Sequence, residues 1–190
     1  MARPIQPARK SSKRRSGTGS AGKLFLGILL GVVLTISAIF VYLFLGSPPV
    51  AVTDASALWE YPLRSIPLNA RIAAHGRTPP FAASEDVFEA GARTYRAQCA
   101  QCHGTPGSES ALGRSMVPRA QQFFSVRNRK STATQSAGEL YWKTAFGLRR
   151  SGMPAYSSTL TDTQLWQTSL LLHSAADDLP DPVRALLTAP

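Results

Sequence analysis

The chain has 190 residues, 44% of them hydrophobic, and a formal net charge of +10, which bounds it to one ordinary domain with appendages. The charge is uneven: Arg3, Arg9, Lys10, Lys13, Arg14, Arg15 and Lys23 fall in the first 23 residues with no acid among them. Beyond lie fourteen basic and eleven acidic residues, or +3. A basic tail is also what a nucleic-acid binder sets against phosphates, but the sequence that follows this tail explains it better, so no nucleic-acid partner is expected.

Residues 1–23, rich in Arg, Lys, Ser and Gly, read as a disordered basic tail. Residues 24–45 follow without a charge, LFLGILLGVVLTISAIFVYLFL, and as a helix these 22 residues cover about 33 Å against a hydrocarbon core of about 30 Å. The stretch exceeds the apolar region of a cleavable signal, and Ser47-Pro48-Pro49 follows it in place of a small-residue cleavage site. It is read as a retained transmembrane helix with the lipid bilayer as partner. The basic flank keeps the N-terminus cytoplasmic and puts the rest of the chain on the outer side of a bacterial cytoplasmic membrane.

Residues 46–83 carry six prolines (Pro48, Pro49, Pro62, Pro67, Pro79 and Pro80) and little regular periodicity, and read as a semi-extended spacer. Trp59, Tyr61 and Leu63 are apolar for a free linker and call for a covering surface, either the domain or the membrane interface. Residues 84–190 form the domain. Ser84 is placed to cap a helix whose first turn holds Glu85 and Asp86, with Val87, Phe88, Gly91, Ala92 and Tyr95 on one face leading into Cys99. Ser136-x-x-Glu139 is a capping box opening a second helix that Gly147 stops. Thr161-x-x-Gln164 opens a third, with Leu165, Trp166, Ser169, Leu170 and Leu172 along it, and Asp181-Pro182 starts a short last one. With no strand signal, the fold class is all-α, a small helical domain preceded by an N-terminal transmembrane helix.

Cys99-Ala100-Gln101-Cys102-His103 uses both cysteines of the chain in the Cys-x-x-Cys-His pattern of covalent haem attachment. Each thiol adds across one vinyl group, and the adjacent imidazole of His103 reaches the iron as proximal ligand. A structural zinc site needs a fourth ligand, for which only His75 and His173 remain as nitrogen donors. A redox-active cysteine pair belongs in a βαβ setting that the pattern lacks. One covalently bound haem c is therefore the expected cofactor. Met153, in Gly147-Leu148-Arg149-Arg150-Ser151-Gly152-Met153-Pro154-Ala155-Tyr156, is the candidate distal iron ligand. Glycines and a proline shape a loop there, and Pro154 pushes Met153 toward extended backbone. The alternative for Met153 is plain core packing. Met116 lies only 13 residues past His103, too soon to return over the opposite face of the macrocycle. His75 and His173 read as surface or capping residues.

The run Gly91-x3-Tyr95-x3-Cys99-x2-Cys102-His103 resembles the first helix of membrane-anchored monohaem class I cytochromes c, and Gly152-Met153-Pro154-Ala155-Tyr156 is similar to their distal-ligand loop. The resemblance spans roughly residues 85–175. It implies that Gly91 and Tyr95 meet the helix carrying Trp166 and Leu170, and that a proline carbonyl, from Pro118 or Pro106, orients the proximal imidazole. It implies an electron carrier rather than an enzyme, exchanging single electrons with redox protein partners of a respiratory chain in or at the membrane. The alternative is a haem-based sensor or ligand-binding protein with a displaceable Met153. The familiar dihaem peroxidases need two attachment motifs, and the chain has one. Arg127, Arg129, Lys130, Lys143, Arg149 and Arg150 form either an ordinary solvated face or a propionate clamp (Arg149 or Arg150) with a docking surface for an acidic partner.

Overall fold

The computed structural model describes residues 18–189 and divides the chain into two units, one ending at Val50 and the other starting at Ala51. Most of the basic tail expected over 1–23, residues 1–17, lies outside the described residues. In the first unit α1 runs Thr18–Leu45, and its segment Ala21–Leu45 is long and apolar enough to cross a membrane, with no part of it buried in the protein. Thr35 returns its hydroxyl to the Gly31 carbonyl at 2.8 Å, so this polar side chain is satisfied within its own helix.

The second unit is helical: α2 (Glu60–Ala74), α3 (Glu85–Gln98), α4 (Ala100–His103), α5 (Ala111–Ser115), α6 (Arg129–Ala133), α7 (Ala137–Phe146), α8 (Asp162–His173) and α9 (Asp181–Thr188), with a 3-10 turn at Val126–Asn128. The described residues contain no strand, only isolated bridges at Thr105–Ser108 and Leu148–Met153. The caps follow the sequence unevenly. Thr161 and Gln164 close a reciprocal capping box on α8. Ser136 accepts from the Glu139 amide at 3.1 Å, but the Glu139 carboxylate turns to Lys143 at 2.6 Å instead of returning to the cap. Ser84 precedes α3 in extended backbone without a side-chain bond, leaving Glu85 and Asp86 to offset the helix dipole.

The core is the crossing of α3 on α8, with α7 and α9 packed alongside. Gly91 makes the crossing possible: a Cβ there meets the Gln167 carbonyl oxygen at 2.5 Å and its carbon at 2.8 Å, both backbone atoms. Tyr95, fully buried one turn on, packs with Leu171 and Leu172 and donates its hydroxyl to the Gly104 carbonyl at 2.6 Å. Burial, and behind it the Cys99 thiol, push that phenol well above its ordinary range. Arg96 on α3 donates to the carbonyls of Leu186 and Leu187, fastening the last turn of α9.

The spacer is not semi-extended throughout. Residues 60–74 form α2 despite Pro67 within it, and the following segment docks on the helical core. Arg77 donates to the Tyr141 hydroxyl at 2.6 Å, faces Asp162 at 3.3 Å and covers the rings of Tyr141 and Trp166, which stack with centroids 4.2 Å apart. Phe81 joins the same cluster. The packed region therefore begins before Ser84.

Candidate functional site

The Cys99 to His103 motif falls at the joint between α3 and α4. Cys99 ends α3, its amide bonded to the Tyr95 carbonyl at 2.8 Å, and its own carbonyl accepts from the amides of Cys102 and His103 at 3.1 and 2.9 Å. This tight turn brings Cys102 and His103, on α4, within one helical turn of Cys99 at its N-cap. Both cysteines are free thiols, Cys99 buried and Cys102 half-buried. Burial, and then the Cys102 thiol, push the Cys99 thiol up to about 12.

Two residues shape the chain after the motif. Gly104 adopts φ +72°, where a Cβ would strike the Ser108 carbonyl and the Gln122 amide oxygen. Buried Gln122 then accepts from the Ser110 amide at 2.8 Å and donates to the carbonyls of Cys102 and Ala120, each at 3.0 Å. Gly113 lies so near the Cys102 carbonyl that no side chain fits between them.

His103 donates from Nδ1 to the Gln121 carbonyl at 2.7 Å, which leaves Nε2 with its lone pair for a metal. Burial lowers the affinity of this imidazole for a second proton, which favours the neutral form that ligation requires. The carbonyl comes from Gln121 and from neither Pro118 nor Pro106, contrary to the expectation drawn from resemblance. Its position is held by side chains: Gln121 donates to Thr132 at 3.1 Å and accepts from Gln135 at 2.9 Å. Gln135 in turn accepts from Lys143 at 2.9 Å, and Lys143 pairs with Glu139. Thr132 and Gln135 are buried, so these bonds are shielded from water.

Lys143 thus leaves the proposed basic docking face. It is four-fifths buried and neutralised by Glu139. Arg129 is engaged with the Ala176 carbonyl at 2.6 Å, while Arg127, Lys130, Arg149 and Arg150 are exposed. His75 and His173 each direct Nδ1 at a backbone carbonyl, of Arg71 and Gln135 respectively. Among the described residues no three His, Cys, Asp or Glu side chains converge on a point that could hold a metal ion.

Met153 is half-buried at the end of a closed loop. Gly147 ends α7 at φ +68°, packed on the backbone of residues 153–155. The Leu148 amide donates to the Met153 carbonyl at 3.2 Å, and the Met153 amide donates to the Ser151 hydroxyl at 3.2 Å. The turn runs through Arg150 and Gly152 at positive φ. Tyr156 latches the loop to the motif, donating its hydroxyl to the Gln98 carbonyl at 2.8 Å, one residue before Cys99. Burial, then the two cysteines, raise its pKa.

Met116, set aside on sequence distance, also reaches this loop. Its methyl lies 2.8 Å from where a Cβ on Gly152 would stand. The sequence signal for that contact is the missing side chain at Gly152. One further feature belongs to the same region: buried Trp166, clustered with Tyr141 and Tyr156, has no protein acceptor for its indole N–H. A buried donor left so costs about 1–3 kcal/mol. Two free thiols, an imidazole with Nε2 spared and a thioether loop tied beside them by Tyr156 together fit a haem c.

Residues 86–169 match the family model described as cytochrome C oxidase, cbb3-type, subunit III. Comparison with curated proteins and with solved structures found no match.

Proposed function

We propose, starting from a chain whose residues 86–169 form a c-type cytochrome domain and whose N-terminal apolar helix fits a membrane anchor, that this protein is a membrane-tethered one-electron carrier. It serves respiratory partners at the outer face of a bacterial cytoplasmic membrane, within a larger membrane complex. Cys99 and Cys102 hold a single haem c through thioethers, His103 is the proximal ligand and Met153 the distal one. The observation that carries this reading is the Tyr156–Gln98 latch, which supports Met153 as a ligand by keeping its loop beside the attachment motif.

A bound haem c supplies a one-electron iron couple. The polypeptide supplies the rest. The Gln121 carbonyl fixes the tautomer and plane of His103 and raises its basicity. The short 148–153 loop limits movement of the thioether between oxidation states. A haem c held by His103 and Met153 would be left no open site for bond-making chemistry, in keeping with a cytochrome domain that carries electrons and is not itself catalytic. The anchor confines the carrier near its partners and raises their effective concentration.

The test is a spectroelectrochemical titration of the purified holoprotein. A single Nernstian one-electron wave with a low-spin spectrum in both states is expected. Two waves or a high-spin ferrous form would overturn the assignment. The same measurement reads the Gln121 network. Gln135→Leu keeps the volume but removes the donor to Gln121 and the acceptor for Lys143. A loosened Gln121 carbonyl makes His103 a poorer donor to ferric iron, so the potential is expected to rise by about 30 mV, half the 59 mV of a tenfold one-electron change. An unchanged potential would confine the network to a structural role.

A further inference from the structure

We propose that the outward face of α2 lies on the lipid surface of the membrane, at the boundary between headgroups and acyl chains. The inference rests on reading α1 as an anchor. Trp59, Leu63, Ile66, Ala70 and Ala73 recur at the spacing of a single helix face, and all five are exposed, Trp59 by 50% and Leu63 and Ile66 by 67% each. The half-buried positions Ser65, Leu68 and Ile72 lie on the other side, so the apolar stripe points away from the protein. No residue of α2 is buried, and Leu58 just before it is 97% exposed. An amphipathic helix whose apolar side meets no protein needs an apolar partner, and a run of this kind is not an isolated surface leucine.

Chain length and side-chain chemistry select lipid as that partner. Only residues 46–59 separate the end of α1 from α2, and fully extended they reach about 50 Å, so the start of α2 stays within that distance of the anchor's end. Trp59 opens the outward stripe at the end of α2 that follows the anchor in sequence, and its amphipathic ring suits the interfacial layer. Arg64 and Arg71 outnumber Glu60, which suits phosphate headgroups.

The experiment uses the full-length holoprotein in vesicles of phosphatidylcholine with and without phosphatidylglycerol. Thioether formation consumes both native thiols, so Leu63→Cys, Ile66→Cys and Asn69→Cys each carry one nitroxide, and the unsubstituted chain, which takes no label, is the control. Power-saturation spectra are expected to show oxygen collisions exceeding those of a water-soluble nickel chelate at Leu63 and Ile66, with the opposite order at Asn69. Free access of the chelate to all three positions would overturn the proposal. So would exclusion of both reagents from Leu63 and Ile66, which means cover by protein, or spin–spin broadening there, which means a second copy. Resistance of the chain to alkaline extraction from the vesicles reads the anchor separately. Retention with chelate-accessible labels sinks only the α2 proposal, whereas extraction sinks the anchor.

Discussion

The double variant Cys99→Ala/Cys102→Ala, produced with haem-attachment machinery present, is expected to emerge colourless and with most of its helical circular dichroism outside α1 lost. The reason lies in how little apolar interior the polypeptide supplies. Most of its buried hydrophobic residues form two clusters, ten residues around the α3, α8 and α9 contacts and four around Tyr141 and Trp166. Five of its helices have ten residues or fewer, too short to persist without tertiary support. A covalent macrocycle adds apolar surface that these helices otherwise lack. The substitution also reports cleanly. Alanine in place of cysteine removes no charged group and leaves a pocket of modest volume. That change alone costs about 1–2 kcal/mol. A native-like helical spectrum in the double variant would show that the chain folds without the cofactor.

The parts of the fold readable from sequence were those with a local signal. The capping box at Thr161 and Gln164, the stop at Gly147, and Gly91 at the α3–α8 crossing each carry their cause in residue type and spacing. The long apolar run behaves likewise. Helix α2 stayed hidden because Pro67 deletes one backbone donor and reads as a breaker, yet a neighbouring turn with intact bonds carries the helix past it. The docking of Arg77 on Tyr141 and Trp166 depends on residues more than sixty positions apart, and no periodicity reports that. The candidate site divides the same way. Two thiols and a histidine lie within one five-residue motif, so their grouping is local in sequence, whereas the carbonyl that accepts from the histidine is eighteen residues away and was expected from a proline. The partner of that imidazole is a backbone atom, which every residue possesses, so composition could not single out Gln121.

Met153→Ala is the variant with the largest expected effect on the site. Loss of the thioether is expected to abolish the sulfur-to-iron band at the red end of the oxidised spectrum, open the iron to carbon monoxide in the reduced state, and lower the potential. Neutral thioether ligation favours ferrous iron, so its removal lowers the potential by roughly 0.1 V or more within the ~0.8 V that axial ligands span. The fold is expected to survive, because Met153 is only half-buried and its loop is held by backbone bonds at Leu148 and by the Tyr156 latch. The neighbour at Gly152 makes a second variant necessary. Met116 brings another thioether against the same loop, so Met153→Ala and Met153→Ala/Met116→Leu are to be compared. If the band persists in the single variant and vanishes in the double, the sulfur on iron belongs to Met116 once Met153 is gone. If Met116→Leu alone removes the band, Met116 is the native ligand and the assignment to Met153 is wrong. A wild-type protein that already binds carbon monoxide readily places the thioether among displaceable ligands and turns the reading from electron carrier to sensor.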